Sequence, residues 1–405
     1  MEIYLVGGAV RDTLLKLPLK DKDWVVVGGS PQRMLDLGYK QVGRHFPVFL
    51  HPKTHEEYAL ARTEIKTGHG YVGFLCYYQP DVTLMQDLAR RDVTVNAIAQ
   101  DQYGEYYDPH GGRLDIQKRI LRHVSSSFSE DPLRVLRIAR FAAYLSHLNF
   151  RIADETLKLM KEIVNSGELQ FLTSPRVWKE IEKALQTHHP QVFFKVLEDC
   201  GALKMLFPEI YSIVSFCNVN LDNALTIFSR VAQYSTDLVV RFASLFYGLK
   251  NILALCINPS FHDKYGLLGI PTISALCQRL NVPSASRSLV LLVIEHYSII
   301  HNVQCSSPNQ LIHFFNRIDA WRKPLRIQQI SLILDAESET CATYKNCSGL
   351  KSKYLYDAWK MVSSVSVQEV IHSGFIGRNI GEELLFRQSI ALKEWQSHQN
   401  QKEIA

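Results

Sequence analysis

The sequence has few cysteines, and no two of them are spaced to bind a metal. Its eight cysteines are scattered along 405 residues, and none forms the C-x-x-C pattern that is typical of zinc or redox sites. Such scattered cysteines are typical of a reduced intracellular protein. The G-x-G-x-x-G pattern is also missing after the first predicted strand, which disfavours a dinucleotide-binding Rossmann protein.

Long apolar runs are missing as well. The most apolar stretch, Leu289 to Ile300, is interrupted by Glu295 and His296 and is too short to cross a membrane. A predicted core strand begins at residue 3, so we expect no secretory signal peptide before it. We therefore expect a cytoplasmic protein that makes no contact with a membrane.

The composition that remains is that of an ordinary folded protein, with 46% hydrophobic and 21% charged residues. A length of 405 residues is enough for two or more domains with cores of their own. The formal net charge of +5 permits a nucleic-acid partner but does not require one.

The start of the chain combines a strand, a glycine pair and a helix. Ile3–Val6 predicts a buried strand, Gly7 and Gly8 follow it, and Ala9–Leu17 predicts a helix. The glycines let the backbone approach a ligand closely, and the helix N-terminus presents free N–H groups. The segment therefore predicts an anion-binding turn, in which the guanidinium of Arg11 can bind a phosphate.

Two aspartates lie at the start of the next predicted strand, Asp23–Val27. Asp21 and Asp23 are two residues apart, so both carboxylates point to the same side of an extended backbone. Two carboxylates beside a phosphate-binding turn are what a magnesium-dependent phosphoryl or nucleotidyl transfer needs. Each feature alone is usually a plain turn or a solvated strand edge. Their short separation favours a functional site.

The chain divides into an α/β part and an all-α part. Residues 1 to about 122 predict a small mixed sheet with helices, and from about Ser129 the pattern is almost wholly helical. We expect a head (1–122), a neck (123–200), a body (201–330) and a tail (331–405). Further strands are expected at Val48–His51, Glu57–Ala61 and Ala97–Ala99, and near Glu105–Tyr107.

The head motifs resemble those of the nucleotidyltransferase superfamily. More narrowly, they resemble the class II tRNA nucleotidyltransferases, the CCA-adding enzymes, of the bacterial multifunctional type. The matching motifs, in order, are GGAVRD, KDKDW, GRHFPVFLHP (43–52), EEYALAR (56–62), RRDVTVNAIA (90–99), YDPHGG (107–112) and EDPLRVLRIARFAA (130–143). The resemblance implies addition of CCA to tRNA from CTP and ATP, with Mg²⁺ held by Asp21 and Asp23. It leaves open a monomer or a homodimer.

The resemblance suggests Glu57 as a third carboxylate, which acts as base for the attacking 3′-hydroxyl or helps to hold a metal. Its strand is expected to run antiparallel beside that of Asp21 and Asp23. The adjacent Glu56 points the other way on a strand and is the alternative.

The nucleotide contacts implied by the resemblance lie in three motifs. In the family, the residues that match Asp131 and Arg134 read the base, and a carboxylate and a guanidinium suit the edges of cytosine or adenine. Asp92 is expected to support the site, and Asn96 to bind the sugar or a loop. On the residues alone, a capped helix with an exposed basic face is the favoured interpretation of the last motif. The expected nucleotide-binding residues are Gly8, Arg11, Arg91, Asp131, Arg134, Arg137 and Arg140.

Two further segments carry expectations of their own. The glycine-dotted segment 62–80 predicts a mobile loop, which the family uses in the switch from adding C to adding A. A basic cluster with one tryptophan can hold tRNA phosphates, or it can be an ordinary exposed helix end. We also expect tRNA contact in the tail. The cluster consists of Arg317, Trp321, Arg322, Lys323 and Arg326.

The body departs from the family pattern. Tyr247 and Gly248 stand where an HD phosphohydrolase domain would carry its histidine and aspartate, and His262-Asp263 lies outside the expected context. We therefore expect a degenerate body without metal-dependent phosphohydrolase activity. The alternatives for the whole chain are a poly(A) polymerase that uses only ATP, an HD-type phosphohydrolase, which the missing ligands disfavour, and a non-catalytic RNA-binding relic. A non-catalytic RNA-binding protein would leave the intact head motifs unexplained.

Overall fold

The structure is a computed structural model that describes residues 1–19, 21–42, 47–66, 74–256, 267–340 and 350–404. It consists of two compact units, Met1–Pro208 and Glu209–Ala405. The predicted divisions at 122, 200 and 330 stay predictions. His262-Asp263 and residues 67–73 of the predicted loop lie outside the described residues.

The first unit is built on a mixed seven-stranded sheet, as predicted. The sheet has the strand order β3-β4-β5-β2-β1-β8-β9, while β6 pairs with β7 and β10 with β11. The β6–β7 hairpin occupies both ends of the predicted loop 62–80, which is therefore not wholly irregular. The strands are β1 (Glu2–Val6), β2 (Asp23–Val27), β3 (Lys40–Gln41), β4 (Val48–Leu50), β5 (Glu57–Leu60), β6 (Thr63–Lys66), β7 (Phe74–Tyr77), β8 (Ala99–Gln100), β9 (Tyr106–Tyr107), β10 (Ile120–Leu121) and β11 (Arg151–Ile152).

The helices of the first unit flank the sheet and then take over the chain. The strand predicted over Ala97–Ala99 begins only at Ala99, because Thr94–Asn96 form a 3₁₀ turn in which the Ala97 N–H bonds back to the Thr94 carbonyl oxygen. The helices are α1 (Gly8–Leu14), α2 (Pro31–Asp36), α3 (Leu84–Ala89), α4 (Gly112–Lys118), α5 (Leu133–Leu145), α6 (Asp154–Asn165), α7 (Ser174–Leu185), α8 (Gln191–Asp199) and α9 (Ala202–Leu206).

The central strand β2 contributes to cores on both faces of the sheet. Val25 and Val26 are both 1% exposed, and neighbouring residues of a strand point to opposite faces. Val25 packs with Leu88 of α3, and Val26 packs with Met34 of α2. With both faces covered, the strand is fixed in place, and so is its first residue, Asp23.

The strands of Asp23 and Glu57 are neighbours, but the prediction that they run antiparallel is wrong. β2 and β5 are parallel, and the Cα atoms of Asp23 and Glu57 are direct partners in the register. The reason is topological. The chain turns back along β4, which lies between β2 and β5 in the sequence. It then turns again into β5, which pairs antiparallel with β4 and therefore runs in the direction of β2.

The second unit is helical throughout its described residues. Of the helices described in the chain, α13 is the one long and apolar enough to cross a membrane, by length and composition only, and 61% of its most apolar window is buried within the structure. The helices are α10 (Pro208–Cys217), α11 (Leu221–Ala224), α12 (Thr226–Tyr234), α13 (Leu238–Cys256), α14 (Ile270–Arg279), α15 (Ser284–Glu295), α16 (Tyr297–His301), α17 (Pro308–Arg317), α18 (Leu325–Thr340), α19 (Leu350–Ser363), α20 (Val367–His372) and α21 (Arg378–Ile404).

A buried polar cluster occupies the place where the body was expected to have lost its ligands. Tyr247 is fully buried and donates to Glu337 at 3.1 Å. The same carboxylate contacts His301 at 2.6 Å and Lys351 at 3.1 Å. Burial raises the pKa of the Tyr247 hydroxyl well above its usual value, so it stays a neutral donor. The absence of phosphohydrolase activity stays a prediction.

Candidate active site

One cavity of about 1040 Å³ within the first unit gathers the chemistry-bearing residues of the head and the neck helices. It extends from the ends of β2 and β5 to the last turns of α5 and α7. Every site residue predicted from the sequence lines it: Asp21, Asp23, Glu57, Gly8, Arg11, Arg91, Asp131, Arg134, Arg137 and Arg140.

The three acidic residues enter the cavity from adjacent strand ends. Asp23 and Glu57 are the first residues of their parallel strands, and Asp21 precedes β2 by two residues. Glu56 does not line the cavity, and its carboxylate accepts a hydrogen bond from the Trp24 indole at 2.9 Å. Among the described residues, no three acidic, histidine or cysteine side chains are grouped closely enough to hold a metal. Glu57 is nevertheless the direct register partner of Asp23, so the two residues lie at neighbouring strand ends.

The electrostatics of Asp23 favour a cation. Burial raises the pKa of its carboxyl group, the Arg91 charge opposes that rise, and the negative charge of Asp21 adds to it. Magnesium in phosphate-transfer sites is held by one or two carboxylates together with substrate phosphates. The pair Asp21 and Asp23 fits that requirement in donor type and number.

Gly7 is needed where the backbone turns towards these carboxylates. Its φ of +73° lies in the left-handed region, which favours glycine. A Cβ atom there would lie 3.2 Å from the guanidinium of Arg91 and 3.9 Å from the carboxylate of Asp23. The Gly7-Gly8 turn thus lies close to Arg91 and Asp23, and anion binding at this turn stays a prediction.

Arg11 lines the cavity but is held more firmly than a free phosphate-binding arginine. It is 4% exposed and donates to Asn96 at 2.7 Å and to Asp12 at 2.9 Å. Its guanidinium also lies 5.2 Å from the centre of the Tyr144 ring. Asn96 connects Arg11 to Asp92, to which it donates at 3.4 Å, and it also lines the cavity, so its contact with a sugar or a loop stays a prediction.

Asp87, which the sequence analysis missed, orients both arginines of the Arg90-Arg91 pair. It is completely buried and lies within 2.5 Å of Arg90 and 3.0 Å of Arg91. Its carboxylate also accepts the backbone N–H of Arg62 at 3.3 Å. A signal was present, since Asp87 precedes the two arginines by three and four residues on the same helical turn.

We expect Asp87 to make stability depend on acid pH. Burial alone would raise its pKa, but the charges of Arg90 and Arg91 outweigh burial and lower the pKa to about 2. A folded-state pKa below the unfolded value of 3.8 gives stability that is complete above pH 3.8 and lost as the pH falls through the folded value. The contribution is about 2 kcal/mol.

The measurement is urea unfolding of the wild type and of Asp87→Asn, which cannot titrate at this position, from about pH 6 to about pH 2.5. The wild type should lose its advantage over the variant by about 2 kcal/mol across that range. A difference that stays constant with pH would show that Asp87 is not an ionised partner of the arginines.

The arginines of α5 face the cavity, so the alternative of a freely exposed basic face is wrong. Arg137 pairs with Asp92 at 2.6 Å, and Arg140 pairs with Glu180 of α7 at 2.5 Å. The ring of Phe141 packs against both guanidinium groups, at 5.6 and 4.2 Å from its centre. The charge of Asp92 raises the pKa of Arg137, which stays fully charged. Asp92 supports the site, as expected.

The proposed base-reading pair, Asp131 and Arg134, is held by protein contacts that leave part of its hydrogen-bonding capacity unused. Asp131 accepts the Leu133 N–H of the first helical turn at 3.1 Å on one oxygen, and Arg176 at 2.8 Å on the other. Arg134 donates to two backbone carbonyl oxygens, at 3.0 and 2.6 Å. A carboxylate oxygen accepts two hydrogen bonds and a terminal guanidinium nitrogen donates two, so both side chains keep capacity for a ligand.

The neck helix α7 supplies site residues that sequence reasoning missed. Arg176 and Lys183 line the cavity, and Glu180, which is only 5% exposed, bonds to the lining residue Arg140. Their spacing of four and three residues puts them on one face of an amphipathic helix, which was the available signal. Nothing local in the sequence indicated which helix that face meets.

Two predicted motifs lie outside the cavity. In YDPHGG, Asp108 accepts the N–H of Gly112 at 2.7 Å, and a Cβ on Gly112 would lie only 2.2 Å from the Thr94 carbonyl oxygen, so the motif is structural. In the basic cluster, Arg317 pairs with Glu295 at 2.7 Å and Arg322 pairs with Asp319 at 2.8 Å. These contacts favour an ordinary helix end there.

The comparisons with known proteins agree with this geometry. Residues 3–122 match the family model of the poly A polymerase head domain, and residues 149–213 match that of the probable RNA and SrmB-binding site of polymerase A. A solved structure described as the apo form II of a CCA-adding enzyme is 21% identical in sequence. The alignment covers 97% of this chain and 90% of that chain, with a TM-score of 0.67. The chain has the fold of the CCA-adding enzymes.

Other CCA-adding enzyme structures give the same result. The Bacillus stearothermophilus enzyme in complex with CTP is 19% identical, covering 99% of this chain and 94% of that one, with a TM-score of 0.60. The Thermotoga maritima enzyme complexed with tRNA is 20% identical, covering 97% and 87%, with a TM-score of 0.58. The matched poly A polymerase head domain contains the carboxylates and Arg91, whereas the arginines of α5 follow it and Glu180 lies in the second match.

Proposed function

We propose that this protein adds C, C and A to the 3′ end of tRNA without a template, using CTP and ATP and releasing pyrophosphate. The observation that carries the proposal is the single cavity that unites the aspartates at the start of β2 with the charged faces of α5 and α7. One end supplies the groups for nucleotidyl transfer, and the other supplies hydrogen-bonding side chains for a base. A cytoplasmic location, where tRNA is processed, belongs to the same proposal.

The residues of the head carry out the nucleotidyl transfer. The 3′-hydroxyl oxygen of the tRNA attacks the α-phosphorus of the nucleotide, the bond to the β-phosphate oxygen breaks, and pyrophosphate leaves. The backbone turn at Gly7-Gly8 and the guanidinium of Arg91 bind the triphosphate beside Asp23. These groups orient the α-phosphorus and stabilise the negative charge that develops on the leaving group.

Asp21 and Asp23 are the residues that would hold Mg²⁺, and the nucleotidyltransferase family generally uses divalent metals. When bound, the metal supplies Lewis-acid stabilisation of the reacting phosphate oxygens. Glu57, the register partner of Asp23 on β5, would act as base for the 3′-hydroxyl proton or help to hold the metal.

The residues of the neck select the nucleotide. Asp131 and Arg134 present an acceptor and donors that can match the edges of cytosine and adenine. Arg137, Arg140 and Phe141 form the adjoining wall, and Glu180 fixes their positions. Because these side chains are held by protein contacts, the protein itself takes the place of a template strand.

A poly(A) polymerase is the second candidate, because the matched head-domain family carries that description. It would use the same carboxylates and the same phosphate-binding turn, but it would accept only ATP. The whole-chain similarity to CCA-adding enzymes favours the first candidate.

Extension of a tRNA transcript that lacks CCA separates the two. The purified protein and Mg²⁺ are incubated with CTP alone, ATP alone or both, and the products are resolved to single nucleotides. We expect two additions with CTP alone and a third only when ATP is also present. Long tails with ATP alone would make the protein a poly(A) polymerase, and no extension in any reaction would overturn both proposals.

A further inference from the structure

One lysine differs from the arginines that line the cavity of the first unit. Each of the eight lining arginines is held by another protein group. Seven pair with a carboxylate, while Arg134 donates to two backbone carbonyl oxygens. The seven are Arg11, Arg62, Arg90, Arg91, Arg137, Arg140 and Arg176. Lys183 also lines the cavity, but it forms no hydrogen bond or ion pair in the described part of the chain.

The position of Lys183 follows from its spacing on α7. Glu180 pairs with Arg140 of α5 at 2.5 Å, which holds this face of α7 against α5. Lys183 follows Glu180 by three residues, so it lies on the same face, one turn further along the helix. Its side chain is exposed and lines the cavity. An anion that enters the cavity can therefore reach the ammonium group without breaking a contact within the protein.

Exposed polar side chains continue the cavity wall beyond Lys183. Gln186 and His188 line the cavity just after α7, and His147 lines it just after α5. The centres of the rings of His147 and His188 lie 5.9 Å apart. Proteins bind single-stranded RNA with basic side chains on its backbone and with aromatic rings, histidine included, on which bases stack. This end of the cavity therefore has the chemistry that suits an RNA strand.

We propose that the ammonium group of Lys183 binds the last phosphodiester of the tRNA, the one nearest to the reacting 3′-hydroxyl. The inference rests on the proposed function and assigns a contact to its second substrate. In that function the Gly7-Gly8 turn and Arg91 bind the triphosphate of the nucleotide. Asp131 and Arg134 read its base. Lys183 is the cation that is left for the phosphate that the tRNA brings into the same cavity.

A lysine suits this contact better than an arginine. Its ammonium group is a point charge on a flexible stem, with three donors that rotate, whereas a guanidinium is a rigid planar fork. The 3′ end of the tRNA changes with each of the three additions, and a phosphate contact carries no sequence information. One flexible cation can therefore serve three successive strand ends. Burial and then the charge of Arg140 lower the pKa of Lys183, and a bound phosphate would oppose that shift.

The first test measures equilibrium binding of a tRNA transcript that lacks CCA, without nucleotide, over a range of salt concentrations. Lys183→Ala should weaken binding by about tenfold, the effect of one hydrogen bond to a charged group. The slope of the logarithm of the binding constant against that of the salt concentration should become shallower by about 0.7, the value for one phosphate contact in a single strand. Lys183→Arg keeps the charge and should keep the wild-type slope.

Lys179→Ala is the matched control. Lys179 is exposed one turn earlier on α7 and lies outside the cavity, so its loss should leave both the affinity and the slope unchanged. An equal effect of Lys179→Ala and Lys183→Ala would show only a diffuse effect of positive charge on this helix, and it would overturn the proposal.

The second test uses the same transcript with a neutral methylphosphonate in place of its last phosphodiester. With the wild type, the neutral linkage should weaken binding by the same factor as Lys183→Ala does. With Lys183→Ala, the neutral linkage should weaken binding no further. Two losses that multiply would show that Lys183 does not contact this phosphate. An unchanged affinity for tRNA together with a raised KM for CTP would assign the lysine to the triphosphate instead.

The outcome is separable from that of the proposed function, because binding is measured without nucleotide. If the wild type binds tRNA with the expected dependence on Lys183 but extends it in no reaction, the proposed function alone is wrong. If the wild type adds CCA as expected and Lys183→Ala binds tRNA as tightly as the wild type, this inference alone is wrong.

Discussion

Alanine at both Asp21 and Asp23 should reduce nucleotide addition by about 10³-fold or more, since loss of even one preorganised electrostatic group costs about 10²- to 10³-fold. The two carboxylates lie at the start of β2, and burial together with the neighbouring negative charge raises the pKa of Asp23 in a way that a bound cation would relieve. Removing both leaves the phosphate-binding turn without its metal ligands. The measurement is single-turnover addition of C to a tRNA transcript that lacks CCA.

Two controls separate chemistry from folding. Asp36→Ala removes an exposed carboxylate of α2 in the same unit, outside the cavity, and should leave the rate unchanged. Glu57→Ala and Glu56→Ala form a matched pair, because adjacent residues share a strand end and only Glu57 lines the cavity. Glu57→Ala should lower the rate and Glu56→Ala should not. If the aspartate variant kept the wild-type rate, the catalytic role of this strand end would be wrong.

Alanine at Asp92 should destabilise the first unit by about 1.5–3 kcal/mol, the usual contribution of hydrogen bonds to a charged group, because Asp92 is buried while Arg137 is partly exposed. Asp92 is 6% exposed and bonds to Arg137 at 2.7 and 2.6 Å. Burial would raise the pKa of its carboxyl group, but the charges of Arg137 and Arg134 outweigh burial and hold the pKa well below its usual value. Without Asp92, the Arg137 guanidinium loses its main partner.

Amide hydrogen exchange in the first unit measures this loss without assuming that the two units unfold together. The double variant Asp92→Leu/Arg137→Met replaces the pair with apolar groups and should recover much of the lost stability. Asp36→Ala again serves as the exposed control. A loss for Asp92→Ala no larger than that of Asp36→Ala would show that the pair does not stabilise the fold.

The site in the head could be predicted because its signals are local in the sequence. The strand, the glycine turn and Asp21 with Asp23 lie within the first residues of the chain, and the predicted strands β1 and β2 are confirmed. The spacing of apolar residues and the turn residues between them indicate such short segments without any knowledge of tertiary contacts. The choice of Glu57 over Glu56 came from the family resemblance, and strand alternation explains why only one of these two adjacent residues lines the cavity.

The parts that sequence reasoning missed depend on contacts between distant segments. Glu180 bonds to Arg140 across 40 positions of the chain, and no local pattern indicates such a partner. The direction of β5 relative to β2 depends on how the intervening strands cross the sheet, which residue patterns do not encode. Arg11 was expected to be free for phosphate, but Asn96, 85 positions away, accepts one of its hydrogen bonds.

The central claim is that one protein cavity, with no template, selects C, C and A in order. The most direct measurement is sequencing of the 3′ ends made from a tRNA transcript that lacks CCA, in a mixture of all four nucleoside triphosphates. The account predicts ends that read CCA and then stop, and no extension by the Asp21→Ala/Asp23→Ala variant. Runs of A, tails of mixed sequence, or equal extension by the variant would contradict it.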